Sequence, residues 1–178
     1  MRVVLALVLG FVFTGCARAQ PAVATLRLTS PAIGADGVIA RRQSAYGTNL
    51  SPALTWTKAS GAQAYAIVLD DPDAGGGRPF VHWTIWNIPA AATSLPEGLP
   101  ATARLKAPSG AMQGINDAGG IGYFGPRPPS GVHHYRIQIF ALSAPLNLAP
   151  GARREALTAA MRDRVLAHGE TAGAFAAP

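Results

Sequence analysis

Two stretches, Val81 to Ile88 and Tyr135 to Leu142, are dense in aromatic and β-branched residues and commit this chain to a sheet. Weaker strand signals surround them. Leu26-Arg27-Leu28 alternates, Ala53 to Trp56 is short and β-prone, and Tyr65 to Leu69 is an apolar run that ends on two aspartates. One helix is expected near the C-terminus. Ala156, Leu157, Ala160, Met161 and Val165 share a helical face, Arg153, Arg154, Arg162 and Asp163 lie away from it, and Gly169 is placed to cap the end. With no repeat and no charged block to mark a linker, residues 26–178 read as one β-rich domain carrying one C-terminal helix.

The N-terminus reads as an export signal. Arg2 precedes an apolar run from Val3 to Phe13, and Ala17-Arg18-Ala19 fits a small-x-small cleavage site, which makes residues 1–19 the signal. Phe13-Thr14-Gly15-Cys16 also resembles a lipobox, so the alternative is a lipoprotein signal over residues 1–15 with Cys16 lipidated. Either route leads to a periplasmic or secreted protein, with membrane attachment only through Cys16. Cys16 is the only cysteine, so stability must come from apolar burial rather than an internal disulfide. The formal charge of +6 falls to +4 once Arg2 and Arg18 are lost. The cations are scattered without interleaved aromatics, a pattern that excludes a nucleic-acid stripe.

Candidate site residues gather at strand ends. Asp70-Asp71-Pro72-Asp73 follows the Tyr65 to Leu69 run and delivers at least one carboxylate to its end, although Asp and Pro equally make a plain turn. Gly75-Gly76-Gly77 reads as a surface loop, without the lysine a phosphate-cradling loop would need. Period two groups His82 with Thr84, Trp86 and Ile88, and groups His133 with Tyr135, Ile137 and Ile139, leaving His134 with Arg136 and Gln138 on the opposite face. Imidazole, phenol and backbone donors converging there would suit a phosphate or carboxylate. If His82 and His133 bind as imidazolium, anion affinity should fall as pH rises through about 6 to 7. Between Pro100 and Val132 runs a long loop of glycine, proline and small residues, and its Gly-Tyr-Phe-Gly-Pro-Arg-Pro-Pro segment favours order.

Several blocks in sequence order resemble the phosphatidylethanolamine-binding family, in its bacterial YbhB/YbcL Raf-kinase-inhibitor-like branch. They are Gly47-Thr48-Asn49-Leu50-Ser51-Pro52; Asp70 to Ala74 with His82-Trp83 and Asn87-Ile88-Pro89; and Gly114, Asn116, Gly122-Tyr123, Gly125-Pro126, Pro128-Pro129 and His133-His134-Tyr135. The resemblance implies a large central sheet, a smaller second sheet on one side and helical cover on the other. It also implies a shallow pocket lined by Asp71, Asp73, His82, Pro128, His133 and Tyr135. Arg127 departs from the small residue or cysteine often found at its place, and either enters that pocket or projects into water.

Three function classes follow. The first is a non-enzymatic binding module, without cofactor, for an anionic small molecule or phospholipid headgroup. The second, implied by the resemblance, is an inhibitor acting on a protein partner, a peptidase or a kinase. The third is a hydrolase in which Asp71, Asp73, His82 and His133 assemble a metal site. Neither an H-E-x-x-H nor a G-x-S-x-G motif supports that last class.

Overall fold

The computed structural model describes residues 24–178; the expected signal and Cys16 lie outside the described residues. In chain order the strands are β1 (Ala24–Thr25), β2 (Leu28–Thr29), β3 (Leu54–Trp56), β4 (Ala64–Asp71), β5 (Phe80–Pro89), β6 (Ser94–Leu95), β7 (Met112–Gln113), β8 (Val132–Leu142) and β9 (Val165–Ala176), with one α-helix, α1 (Arg154–Met161), among the described residues. Six strands form a mixed sheet in the order β1-β9-β8-β4-β5-β7, parallel only between β1 and β9, and β2-β3-β6 form a small antiparallel sheet. The chain switches sheets at Leu26 and Arg27, which is why that short alternating stretch serves two sheets rather than one strand.

Each face of the large sheet carries its own core. Leu28, Leu54, Trp56 and Leu95 of the small sheet pack on Tyr65, Ile67, Leu69, Trp83, Ile85, Ile137 and Ile139. On the opposite face Leu157 and Met161 of α1 meet Ala66, Val68, Trp86 and Leu142. Both faces of β4 are therefore covered, and all eight of its residues are buried, as its near-continuous apolar sequence requires.

Strict alternation fails along β5. Leu69 pairs with Trp83 but Asp70 pairs with Val81, which leaves His82 as an extra residue opposite β4, and a second shift separates the Tyr65–Ile88 and Ile67–Ile85 pairs. Thr84 and Trp86 stay together beside Gly114, but Ile88 joins Trp83 and Ile85 in the other core and His82 turns against Tyr135. The expected grouping of His82 with Thr84, Trp86 and Ile88 is thus undone by two bulges. Asn87 absorbs the second one, with φ of 55° and a side chain that accepts from Leu146 N–H at 2.7 Å and donates to Leu146 O at 2.9 Å.

The C-terminal helix is shorter than its apolar pattern implies. It ends at Met161, Asp163 takes a left-handed φ of 64°, and the chain from Val165 becomes β9, paired with β8 from Val132 to Leu142. Gly169 is therefore a strand residue rather than a helix cap. A Cβ there would sit 2.1 Å from the backbone oxygen of Leu26, so the chain leaving β1 crosses at a distance that only glycine permits. Gly169→Ala should consequently destabilise the fold by about 1–3 kcal/mol in denaturant titration. A helical residue at this position would instead gain up to about 1 kcal/mol from the same change.

Candidate functional site

The last two residues of β4 point to opposite faces, and each finds a charged or titratable partner. Asp70, fully buried on the helix side, accepts from Arg136 Nε and Nη2 at 3.1 Å each and pairs with Arg154 Nη2 at 3.0 Å, tying β8 and α1 to the strand end. Asp71 faces the other way. Its Oδ2 accepts from His133 Nδ1–H at 2.7 Å and its Oδ1 from the backbone N–H of Asp73 at 2.8 Å. The first bond leaves His133 Nε2 as that ring's free nitrogen.

His82 is oriented by a carbonyl. Its Nδ1–H donates to Phe124 O at 2.7 Å, and because a carbonyl only accepts, the neutral ring must leave Nε2 as an acceptor. The ring stacks on Phe124 at 5.8 Å and meets the edge of Tyr135 at 5.1 Å. Burial lowers the His82 pKa below its ordinary value, with the Phe124 bond and the Asp71 charge opposing it. Tyr135 is 1% exposed, and its hydroxyl lies beside the Asp71 carboxylate and the Arg127 backbone without a hydrogen bond of full geometry to either. Burial, followed by the neighbouring Asp71 charge, holds its phenol well above the usual range.

These groups line one cavity of about 200 Å³. Asp71, His82, His133 and Tyr135 supply its polar wall, Phe80, Phe124, Ala74 and Pro129 its apolar wall, and Arg127 stands exposed at its opening. Two residues expected here are placed elsewhere. Pro128 is buried with its carbonyl accepting from Tyr46 O–H at 2.8 Å, so the next proline forms the wall instead. Asp73 turns outward, where its Oδ2 accepts from the backbone N–H and from Nδ1–H of His134 at 2.8 and 2.7 Å; these bonds hold its carboxyl below the ordinary range. No group of three or more His, Cys, Asp or Glu side chains is placed to hold a metal ion among the described residues. A larger hollow of about 390 Å³ under α1 includes Arg154, but that guanidinium is already committed to Asp70.

A family model described as phosphatidylethanolamine-binding protein matches residues 29–176. The chain belongs to the phosphatidylethanolamine-binding protein family. A UPF0098 protein of Methanothermobacter thermautotrophicus is 41% identical over 151 residues, covering 84% of this chain and 98% of its own. LppC of Mycobacterium tuberculosis, whose name calls it a lipoprotein, is 39% identical over 134 residues, 74% of this chain and 63% of its own. The crystal structure of Escherichia coli YbcL, titled as a member of the mammalian family, superposes with a TM-score of 0.78 at 31% identity, covering 87% of this chain and all of that one.

Several blocks that carry the family resemblance have structural work here. Asn49, at φ 58°, accepts from Gly125 N–H at 2.7 Å, and Tyr123 O–H donates to Gln43 O at 2.8 Å, so the early block and the Gln43 carbonyl just before it clamp the loop that brings Phe124 to His82. Gly125 is pressed so closely on Gln43 O that a Cβ would lie 2.1 Å away. Sequence reasoning missed Phe80 and Phe124 as cavity residues. The signal available was their position, one at the start of β5 and the other beside Tyr123 in the proline-rich loop.

The burial of His82 also sets a pH dependence. Its folded pKa lies below the unfolded value of about 6.5, so the unfolded chain takes up the proton first as pH falls. Stability should be complete above pH of about 6.5 and decline as pH falls through the lowered folded value. Thermal melts across that interval should lose this component in His82→Gln. The expected loss of anion affinity between about pH 6 and 7 through His82 accordingly moves to lower pH.

Proposed function

We propose that this chain is an exported binding protein that holds an anionic, phosphate- or carboxylate-bearing group in the Asp71–His82–His133–Tyr135 cavity and works by binding rather than turnover. The observation that carries this reading is the Tyr135 hydroxyl, buried in the cavity wall beside Asp71 and the Arg127 backbone without a hydrogen bond of full geometry. A buried phenol normally finds a hydrogen bond, so a ligand oxygen is the group that completes it. Family membership and the name phosphatidylethanolamine-binding support a phospholipid headgroup or a related phosphate as occupant. The acidic segment of a protein partner, a peptidase or a kinase, fits the same chemistry, since Arg127 stands exposed at the opening.

Export rests on the N-terminal pattern, and the lipoprotein name of LppC supports lipidation at Cys16 as the alternative to cleavage after Ala19. No helix among the described residues is long and apolar enough to cross a membrane. Intact-mass measurement separates the routes: loss of residues 1–19 supports a free periplasmic protein and a diacylated Cys16 a lipoprotein, whereas an uncleaved chain contradicts export.

Calorimetry with inorganic phosphate and phosphoethanolamine tests the binding itself. His133→Ala should weaken binding about tenfold or more, the loss of one charge-assisted hydrogen bond, while His134→Ala, which removes a ring bonded outside the cavity, should change it little. Equal loss in both variants, or no binding in the parent protein, would remove the cavity from the account.

A further inference from the structure

The cavity wall carries little net positive charge of its own. His82 has spent its Nδ1–H on Phe124 O, and burial keeps its ring neutral at ordinary pH. His133 can add an imidazolium charge, but it stands 2.7 Å from the Asp71 carboxylate, which matches that charge. Tyr135 is neutral, its phenol held above the usual range. Arg127 is therefore the one permanent cation among the described residues that line this cavity.

The backbone on both sides of Arg127 is fixed, while its side chain is uncommitted. Gly125 N–H donates to Asn49 Oδ1 at 2.7 Å, Ala45 N–H to Pro126 O at 3.0 Å and Tyr46 O–H to Pro128 O at 2.8 Å, and the two flanking prolines restrict the chain further. The arginine ion pairs of the described residues engage Arg42, Arg78, Arg136, Arg153 and Arg154, but not Arg127. Arg78 shows the contrast. It lines the adjoining hollow, which shares Ala74 and Phe80 with this cavity, and it is committed to Asp117 at 2.7 Å. Phosphoryl oxygens seek the buried Tyr135 hydroxyl, so the substituent on the phosphate points back toward the opening, where Arg127 stands exposed. An anionic group there gains a charge-assisted hydrogen bond from the guanidinium. An ammonium meets like charge and finds no acceptor on it. Asp73, the exposed carboxylate on the adjoining turn, is already bonded to His134.

We propose that Arg127 selects among phosphoryl ligands by the charge of their substituent, favouring an anionic substituent over one that carries an ammonium. The preference rests on the anion-binding reading and grades its occupants without removing any of them.

Phosphoglycolate and phosphoethanolamine are matched probes, small phosphate esters of which one ends in a carboxylate and the other in an ammonium. Calorimetry compares them at about pH 8 and low ionic strength, since both phosphates are then dianions, with a second ionisation near 6, and salt would screen an exposed guanidinium. Phosphoglycolate should bind about tenfold more tightly than phosphoethanolamine in the parent protein. Arg127→Gln should narrow that gap to about threefold or less, with an unchanged melting curve because the side chain is exposed. Arg104→Gln removes the same charge from an exposed residue outside the cavity and should keep the gap. Affinities within about twofold in the parent protein, or a preference for phosphoethanolamine, overturn the charge rule while leaving anion binding in place. A gap that survives Arg127→Gln, or that Arg104→Gln closes as far, overturns the role of Arg127. Failure of both probes to bind overturns the rule together with the reading beneath it.

Discussion

The site depends on one extra residue. Opposite the Leu69-Asp70 step of β4, β5 carries His82 between the paired Val81 and Trp83, and that bulge rotates the imidazole onto the cavity side. In an unbulged β5, His82 would share a face with Thr84 and Trp86, against the helix-side core. The bulge brings the ring within reach of Phe124 O, Tyr135 and Asp71, and burial there lowers its pKa. Geometry and protonation therefore share a cause.

Two adjacent aspartates divide the remaining labour. Asp70 gathers Arg136 and Arg154 behind the sheet, joining α1 to the end of β4, whereas Asp71 fixes His133 in front of it. A buried carboxylate held by two guanidiniums resists movement, because releasing either partner leaves charge poorly compensated. The strand end that presents Asp71 is accordingly anchored from the opposite face. Around the cavity the long loop is ordered by the Asn49 side chain, by the Gln43 carbonyl and by Gln113, which accepts from Trp83 Nε1–H at 2.7 Å and donates to Pro100 O and Thr102 O.

Much of this was legible in the sequence where neighbours along the chain decide the outcome. Regular alternation placed His133 with Tyr135 and His134 away from them, and β8 has no shift against β4 to disturb that order. The large sheet, the small sheet and the helix followed from apolar patterning together with the family resemblance. What escaped was decided by contacts distant in sequence. Val165 continues the helical face of Leu157 and Met161 by spacing, yet β9 forms because β8 offers an unpaired edge, and its run of alanine and glycine gives little strand signal of its own. The bulge at His82 and the outward turn of Asp73 to His134 depend on cross-strand partners in the same way.

The central claim is that the fold presets His82 as a neutral ring with its proton on Nδ1 and its Nε2 open to the cavity proposed to hold an anion. Long-range nitrogen–proton NMR of the histidine side chains, recorded near pH 7 during titration with inorganic phosphate, reads both parts. The account predicts the Nδ1–H tautomer for His82 in the free protein and a change at its Nε2 resonance as phosphate is added. An Nε2–H tautomer, or an Nε2 signal that phosphate leaves unmoved, would contradict it.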